Sequence, residues 1–238
     1  MQYWKLTNET ECHHNMQYKT GLNVDVVPFN PTGSCLTGGI YFAGKPVLAF
    51  VKLQDVKWIR RVSLPAGEEV YEDPGHLKKS KAHSVILGER MPLWDVETLK
   101  MLDAAGVSLW HITKSVAIQC GNADVFEYLT KKNSYVYHYY DIMMAIICRK
   151  FEIVKFLGKQ MAEDALSLCA RFGVIELVQY FVEQGGTITT NTINNAASEG
   201  RLRIIKYLVK HGGRPSGDAI KYAELGGHKK VVKHLKRC

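Results

Sequence analysis

Residues 196–213 read AASEGRLRIIKYLVKHGG. Small residues run up to Gly200. An amphipathic stretch follows, with Ile204, Ile205, Tyr207, Leu208 and Val209 as its apolar residues, and Gly212-Gly213 ends it. The spacing predicts two short helices joined by a tight turn. Neither helix can bury its apolar face inside so short a unit, so the stretch implies neighbours of the same kind stacked against it.

The neighbours occupy the chain from Val96 onward. Taking the residue that ends the first helix of each hairpin as anchor gives Gly121, Arg149, Gly173, Gly200 and Gly227, spaced by 28, 24, 27 and 27 residues. Four residues before the anchors stand Ala117, Ala145, Cys169, Ala196 and Ala223, small enough for two helices to approach closely. Four after them stand Val125, Ile153, Leu177, Ile204 and Val231, and eight after them Leu129, Leu157, Phe181, Leu208 and Leu235. A step of four is about one helical turn, so these columns share one face and form the expected core. The anchor glycines suit a left-handed residue at a helix end, as do Gly106, Gly185 and Gly212 after second helices. Arg149 departs from the set and precedes the short spacing, so Arg149 to Glu163 is the expected irregular joint. The segment 96–106 reads as a second helix without its first. The expectation is a half-repeat plus five helix pairs over 94–238, all-α, after a separate N-terminal module over 1–93.

That module is expected to be small and β-rich, which makes the whole chain α+β. Its apolar runs are short: LNVDVV at 22–27, GIYFA at 39–43, PVLAFV at 46–51 and SVILG at 84–88, bounded by turn signals such as PFNPTG and EDPG. Leu22, Val24 and Val26 alternate with Asn23 and Asp25, which predicts a half-buried strand with the aliphatic residues inward. Pro92 is expected just ahead of the first helical turn.

The hairpin at 196–213, with CARFGVIELVQYFVEQGG (169–186) and AELGGHKKVVKHL (223–235), resembles ankyrin repeats over roughly 96–238. It departs from the common pattern in lacking the Thr-Pro-Leu-His start and in a 27-residue period, against the usual ~33. The difference is about what the β-hairpin between repeats occupies, so tight turns are expected instead. Together with the leader YWKLTNETECHHNMQYKTGLNVDVVPFNPTGSCLTGGIYFA (3–43), the repeats look like ankyrin-repeat proteins of giant DNA viruses of the Mimivirus type. The resemblance implies a non-enzymatic protein-protein interaction scaffold or adaptor in an infected cell, with the host cytoplasm as its expected place.

Composition narrows the other function classes. The cysteines (Cys12, Cys35, Cys120, Cys148, Cys169, Cys238) form no Cys-x-x-Cys pair, which argues for reduced thiols inside a cell. Cys12, His13 and His14 lack a second ligand pair, so no metal is expected, and no cofactor. There is neither a secretion signal nor an apolar run long enough for a membrane helix, so a soluble protein without a membrane partner is expected. GxGxxG, HExxH and GxSxG are absent. Residues 33–39, GSCLTGG, have the glycine spacing of a phosphate loop without its Lys and hydroxyl pair, and read as a turn. An enzyme in the N-terminal module, using Cys35 with His13 or His14, is the weakest alternative.

Two features point to contact surfaces. Tyr135, Tyr137, His138, Tyr139 and Tyr140 are expected to open the first helix of the second hairpin, and they cannot all face one core stripe. They either present rings to a partner or plug the irregular joint. Trp110 and His111 hold the equivalent turn one repeat earlier and extend the candidate set. The second feature is charge. Of the formal net charge of +8, residues 201–238 carry more than the whole, with 11 Lys and Arg against 2 Asp and Glu. Arg201, Arg203, Lys206, Lys210, Arg214, Lys221, Lys229, Lys230, Lys233, Lys236 and Arg237 either solubilise a terminal repeat or attract an acidic protein or, less favoured, nucleic acid. Tyr207 and Tyr222 are expected in the core, which leaves few stacking partners for single strands.

Overall fold

The computed structural model describes residues 2–13, 16–31, 38–53, 55–73 and 78–237. His14, Cys35, Cys238 and most of the 33–39 loop therefore lie outside the described residues. The chain divides into two compact units: Met1–Cys120 with Glu127–Asn133, and Gly121–Phe126 with Ser134–Cys238.

The first unit is built on an antiparallel sheet. Its strands are β1 (Tyr3–Asn8), β4 (Gly21–Val24), β5 (Ile40–Ala43), β6 (Val56–Ser63), β7 (Tyr71–Glu72), β8 (Lys79–Ala82) and β9 (Ser84–Pro92), in the order β4-β9-β6-β1-β5-β8-β7, while β2 (Cys12–His13) and β3 (Met16–Gln17) pair separately. On one face Met16, Tyr18, Ile40, Phe42, Val62, Ala82, Val85 and Leu87 form a buried cluster. Charge is buried in this unit as well. Arg60, on a central strand, holds Glu11 with two hydrogen bonds of 2.8 and 2.7 Å and also donates to the Gly88 carbonyl and the Thr20 hydroxyl. Lys5 donates to the Tyr41 carbonyl at 2.8 Å and lies over the Tyr18 ring. Burial pushes its pKa down to about 7, against the opposing pull of Asp25.

Three sequence expectations for this unit are corrected. In β4 the alternation is present with its phase reversed: Asn23 is buried, while Leu22, Val24 and Val26 are 53%, 45% and 79% exposed. The cause is local. The Asn23 amide donates to the Lys19 and Gly21 carbonyls and accepts from the Lys19 amide, so the polar residue is anchored inward, its hydrogen bonds made. PVLAFV is no strand, since Val47–Leu53 is a 3-10 helix with Val47, Leu48 and Val51 buried. Pro92 ends β9, and the helix after it is capped by Asp95, whose side chain accepts from the Thr98 amide.

The helices are α1 (Val96–Ala104), α2 (Lys114–Cys120), α3 (Ala123–Lys132), α4 (Tyr139–Ile147), α5 (Phe151–Gly158), α6 (Ala162–Phe172), α7 (Ile175–Glu183), α8 (Thr190–Ser198), α9 (Leu202–Lys210), α10 (Gly217–Leu225) and α11 (Lys229–Leu235). With the sheet before them they make the α+β architecture that the sequence implies. All three small-and-apolar columns are buried, with no member more than 5% exposed. Turns and short linkers join the helices of the second unit, with no strands between repeats.

The anchor glycines prove to serve stacking as well as turning. Gly121, Gly173, Gly200 and Gly227 have φ of 78°, 83°, 69° and 72°. A Cβ on Gly121 would meet the Lys150 side chain, one on Gly173 the side chain of Arg201, and one on Gly200 the His228 ring at 2.5 Å. In each case the intruder is the residue just after the next anchor. Arg201 Nε donates to the Arg171 carbonyl, and His228 Nε2 stands 3.0 Å from the Ser198 carbonyl, so each of these two inserted side chains ties one hairpin to the one before it. Arg149 also adopts a left-handed conformation, φ 57°. The inserting position one repeat later holds Val174, which is too short for such a reach.

The short spacing after Arg149 has a visible origin. Residues 159–161 connect α5 to α6, where 184–189 and 211–216 make the equivalent connections, and Gln160 follows the C-cap without the positive φ that Gly185 and Gly212 adopt at that point. Next to this joint Phe181 replaces the leucine of its column. Its ring lies where a Cβ on Gly158 would be, so the larger side chain fits because α5 ends in glycine.

Candidate partner-binding surfaces

The tyrosine run divides by position. Helix α4 begins at Tyr139, so Tyr135 and Tyr137 belong to the connection before it, a correction to the expectation that the run opens the helix. His138 is the N-cap, and its backbone amide donates to Asp141 at 2.8 Å, closing a capping box. That cap fixes the first helical turn, so the rings on either side of it point differently. Tyr137 is half-buried and packs against Phe126 and Phe156, with ring centroids 6.4 and 5.9 Å away. Tyr135 is half-buried. Tyr139 and Tyr140 are exposed, as is Val136 at 69%, a residue that aromatic content alone did not mark.

Trp110 and His111 lie in the first unit, on a 3-10 turn (Leu109–His111) between buried Leu109 and Ile112. Trp110 is 69% exposed and His111 half-buried.

The cationic residues of 201–238 all face solvent: Arg201, Arg203, Lys206, Lys210, Arg214, Lys221, Lys229, Lys230, Lys233, Lys236 and Arg237. The two acids of the segment are both taken, Asp218 by Lys221 at 3.3 Å and Glu224 by Lys236 at 2.9 Å. Tyr222 is exposed, contrary to its expected place in the core. Its position in the earlier hairpin holds Asn195, a polar residue that marked the site as less than buried. Tyr207 is half-buried and stacks on His211 with centroids 4.0 Å apart.

Other chemistry has little geometry around it. Cys12 and His13 lie exposed on β2, paired with Gln17 and Met16. No three His, Cys, Asp or Glu side chains gather as metal ligands among the described residues. At the glycine loop the Gly39 amide donates to the Asp25 carboxylate at 2.7 Å, so a carboxylate already sits where a phosphate loop would present a free N–H. Burial raises the Cys169 thiol to about 12, which makes it inert packing. No helix among the described residues is long and apolar enough to cross a membrane.

Stacked helix hairpins after an antiparallel β-module define a repeat protein. No family model matches the chain. It is similar to a protein of Acanthamoeba polyphaga mimivirus named as an ankyrin repeat protein, 35% identical over 109 residues, which are 43% of this chain and 35% of that protein. An uncharacterized protein of the same virus is 33% identical over 121 residues, 50% of this chain and 86% of that protein. Another, again named as an ankyrin repeat protein, is 32% identical over 113 residues, 46% of this chain and 56% of that protein. The chain spans about a third to a half of the first and third of these relatives. It belongs to the ankyrin-repeat proteins of Mimivirus-type giant viruses.

Proposed function

We propose that the protein is a non-enzymatic protein-interaction scaffold that acts as an adaptor inside an infected host cell. The observation that carries this reading is the exposure of Tyr139 and Tyr140, 42% and 55%, on a capped helix start whose neighbouring ring, Tyr137, packs against Phe126 and Phe156. Tyrosine presents a large, stiff, amphipathic area at low entropic cost, and mounting it on a fixed helix end lowers the ordering penalty of binding. The relatives named as ankyrin repeat proteins support a protein partner. A viral family and the free thiols Cys12 and Cys148 support a reducing intracellular setting.

The test is affinity capture from infected-cell lysate, with and without nuclease, using the wild type and Y139A/Y140A. The expected result is a defined protein that survives nuclease and is lost with the double variant. Loss of every partner on nuclease treatment overturns the reading in favour of a nucleic-acid-associated protein.

A further inference from the structure

Arg203, Lys206 and Lys210 lie at i, i+3 and i+7 of α9, and Lys230, Lys233 and Arg237 take the same three positions one 27-residue repeat later on and just after α11. All six are exposed, and none is in an ion pair among the described residues. At this spacing each row spans about 10 Å along its helix, and helices that pack side by side stand about 8–10 Å apart. Together the two rows place six exposed cations at repeat-equivalent positions on or just after α9 and α11. The array ends sharply. One repeat earlier the same positions on α7 hold Glu176, Gln179 and Glu183.

We propose that this array is a docking surface for an acidic helical segment of a partner protein, with carboxylates at i, i+3 and i+7 along one face. The proposal rests on the scaffold reading above and names the chemistry of one partner. Charge complementarity selects the sign, and the shared 1.5 Å rise per residue lets carboxylates on a helix match cations on a helix. The small footprint selects a peptide over nucleic acid. Duplex DNA carries a charge every ~1.7 Å on a stiff rod, so along the stack it runs from the cations onto Glu176 and Glu183 within one repeat. Single strands need exposed rings to stack on, and on α9 the one aromatic ring, Tyr207, is already stacked on His211.

The experiment is fluorescence anisotropy on the full chain at low salt. The probes are a labelled helical peptide of roughly 20 residues with glutamates at i, i+3 and i+7 on one face, a second peptide of the same composition with glutamates spread round the helix, and a single strand and a duplex of at least equal charge. The faced peptide is expected to bind roughly tenfold or more tightly than the spread one, and more tightly than either nucleic acid. R203E/K206E and K230E/K233E, tested separately, are each expected to weaken it by roughly tenfold, while K159E, at an exposed lysine outside the basic segment, leaves it within about twofold. Circular dichroism verifies that each variant is folded. Equal affinity for the two peptides, tighter binding of a nucleic acid, or indifference to both reversals overturns the proposal. If the array fails while Y139A/Y140A still loses its captured protein, the scaffold reading stands without this partner.

Discussion

At the scale of single residues, backbone and side chain constrain each other most tightly at Gly200. Its φ of 69° costs an alanine about 1–2 kcal/mol, and the new methyl would also strike the His228 ring. G200A is therefore expected to lose about 2 kcal/mol or more in urea denaturation, of which H228A recovers the steric part. Equal losses with and without the second change would mean that the ring yields freely. Glu11 is a different kind of constraint. Hydrogen bonding from Arg60 holds its carboxyl below the usual carboxylate range. A pKa depressed by folding contributes stability that is full above the unfolded value, ~4.3, and is lost as pH falls through the folded value. E11Q leaves the Arg60 guanidinium buried without its counter-charge and is expected to cost about 3 kcal/mol at pH 7, with the gap from wild type closing in acid. A gap that is constant between pH 7 and pH 3 would show that packing sets the cost.

At the scale of elements, helix pairing is decided by the three columns, and their periodicity makes them legible in the amino-acid order. The joint between α5 and α6 is legible only as a change of spacing, because what accommodates it is a pair of side chains far apart in sequence. Gly158 leaves room for Phe181. G158A is expected to overpack this contact and to cost about 1–3 kcal/mol, while G158A/F181L loses clearly less than the sum of the single changes, by double-mutant cycle. Additivity would mean that the two positions do not share space. Strand β4 shows the limit of pattern reading in the other unit. Its period of two is correct, but the phase follows the Asn23 hydrogen bonds and leaves Leu22 and Val24 outside.

At the scale of the whole molecule, the two units carry surfaces of different character: Trp110 in the first, the tyrosine pair and the cation array in the second. Tyr139 and Tyr140 remain 42% and 55% exposed in the folded chain, so Y139A/Y140A is expected to cost only about 1–2 kcal/mol of stability and leave the chain folded while removing the captured partner. A thermal melt beside the capture experiment checks both. Loss of folding together with the partner would assign the rings to packing.

Sequence by itself determined the sign and place of the charge excess, the helical columns and the glycine turns. Each follows from composition or from a period in the chain, and burial of one face enforces that period. The tertiary structure decided which rings of the tyrosine run are exposed and which packs against Phe126 and Phe156, because the Asp141 capping box sets where α4 starts. It also decided which side of β4 is inside, because three hydrogen bonds between the Asn23 side chain and the backbone outweigh the aliphatic pattern there. The stacking role of the anchors was hidden for the same reason. Nothing in the order of residues says that the side chain after one anchor needs the space above the one before it, and that requirement exists only once hairpin rests on hairpin.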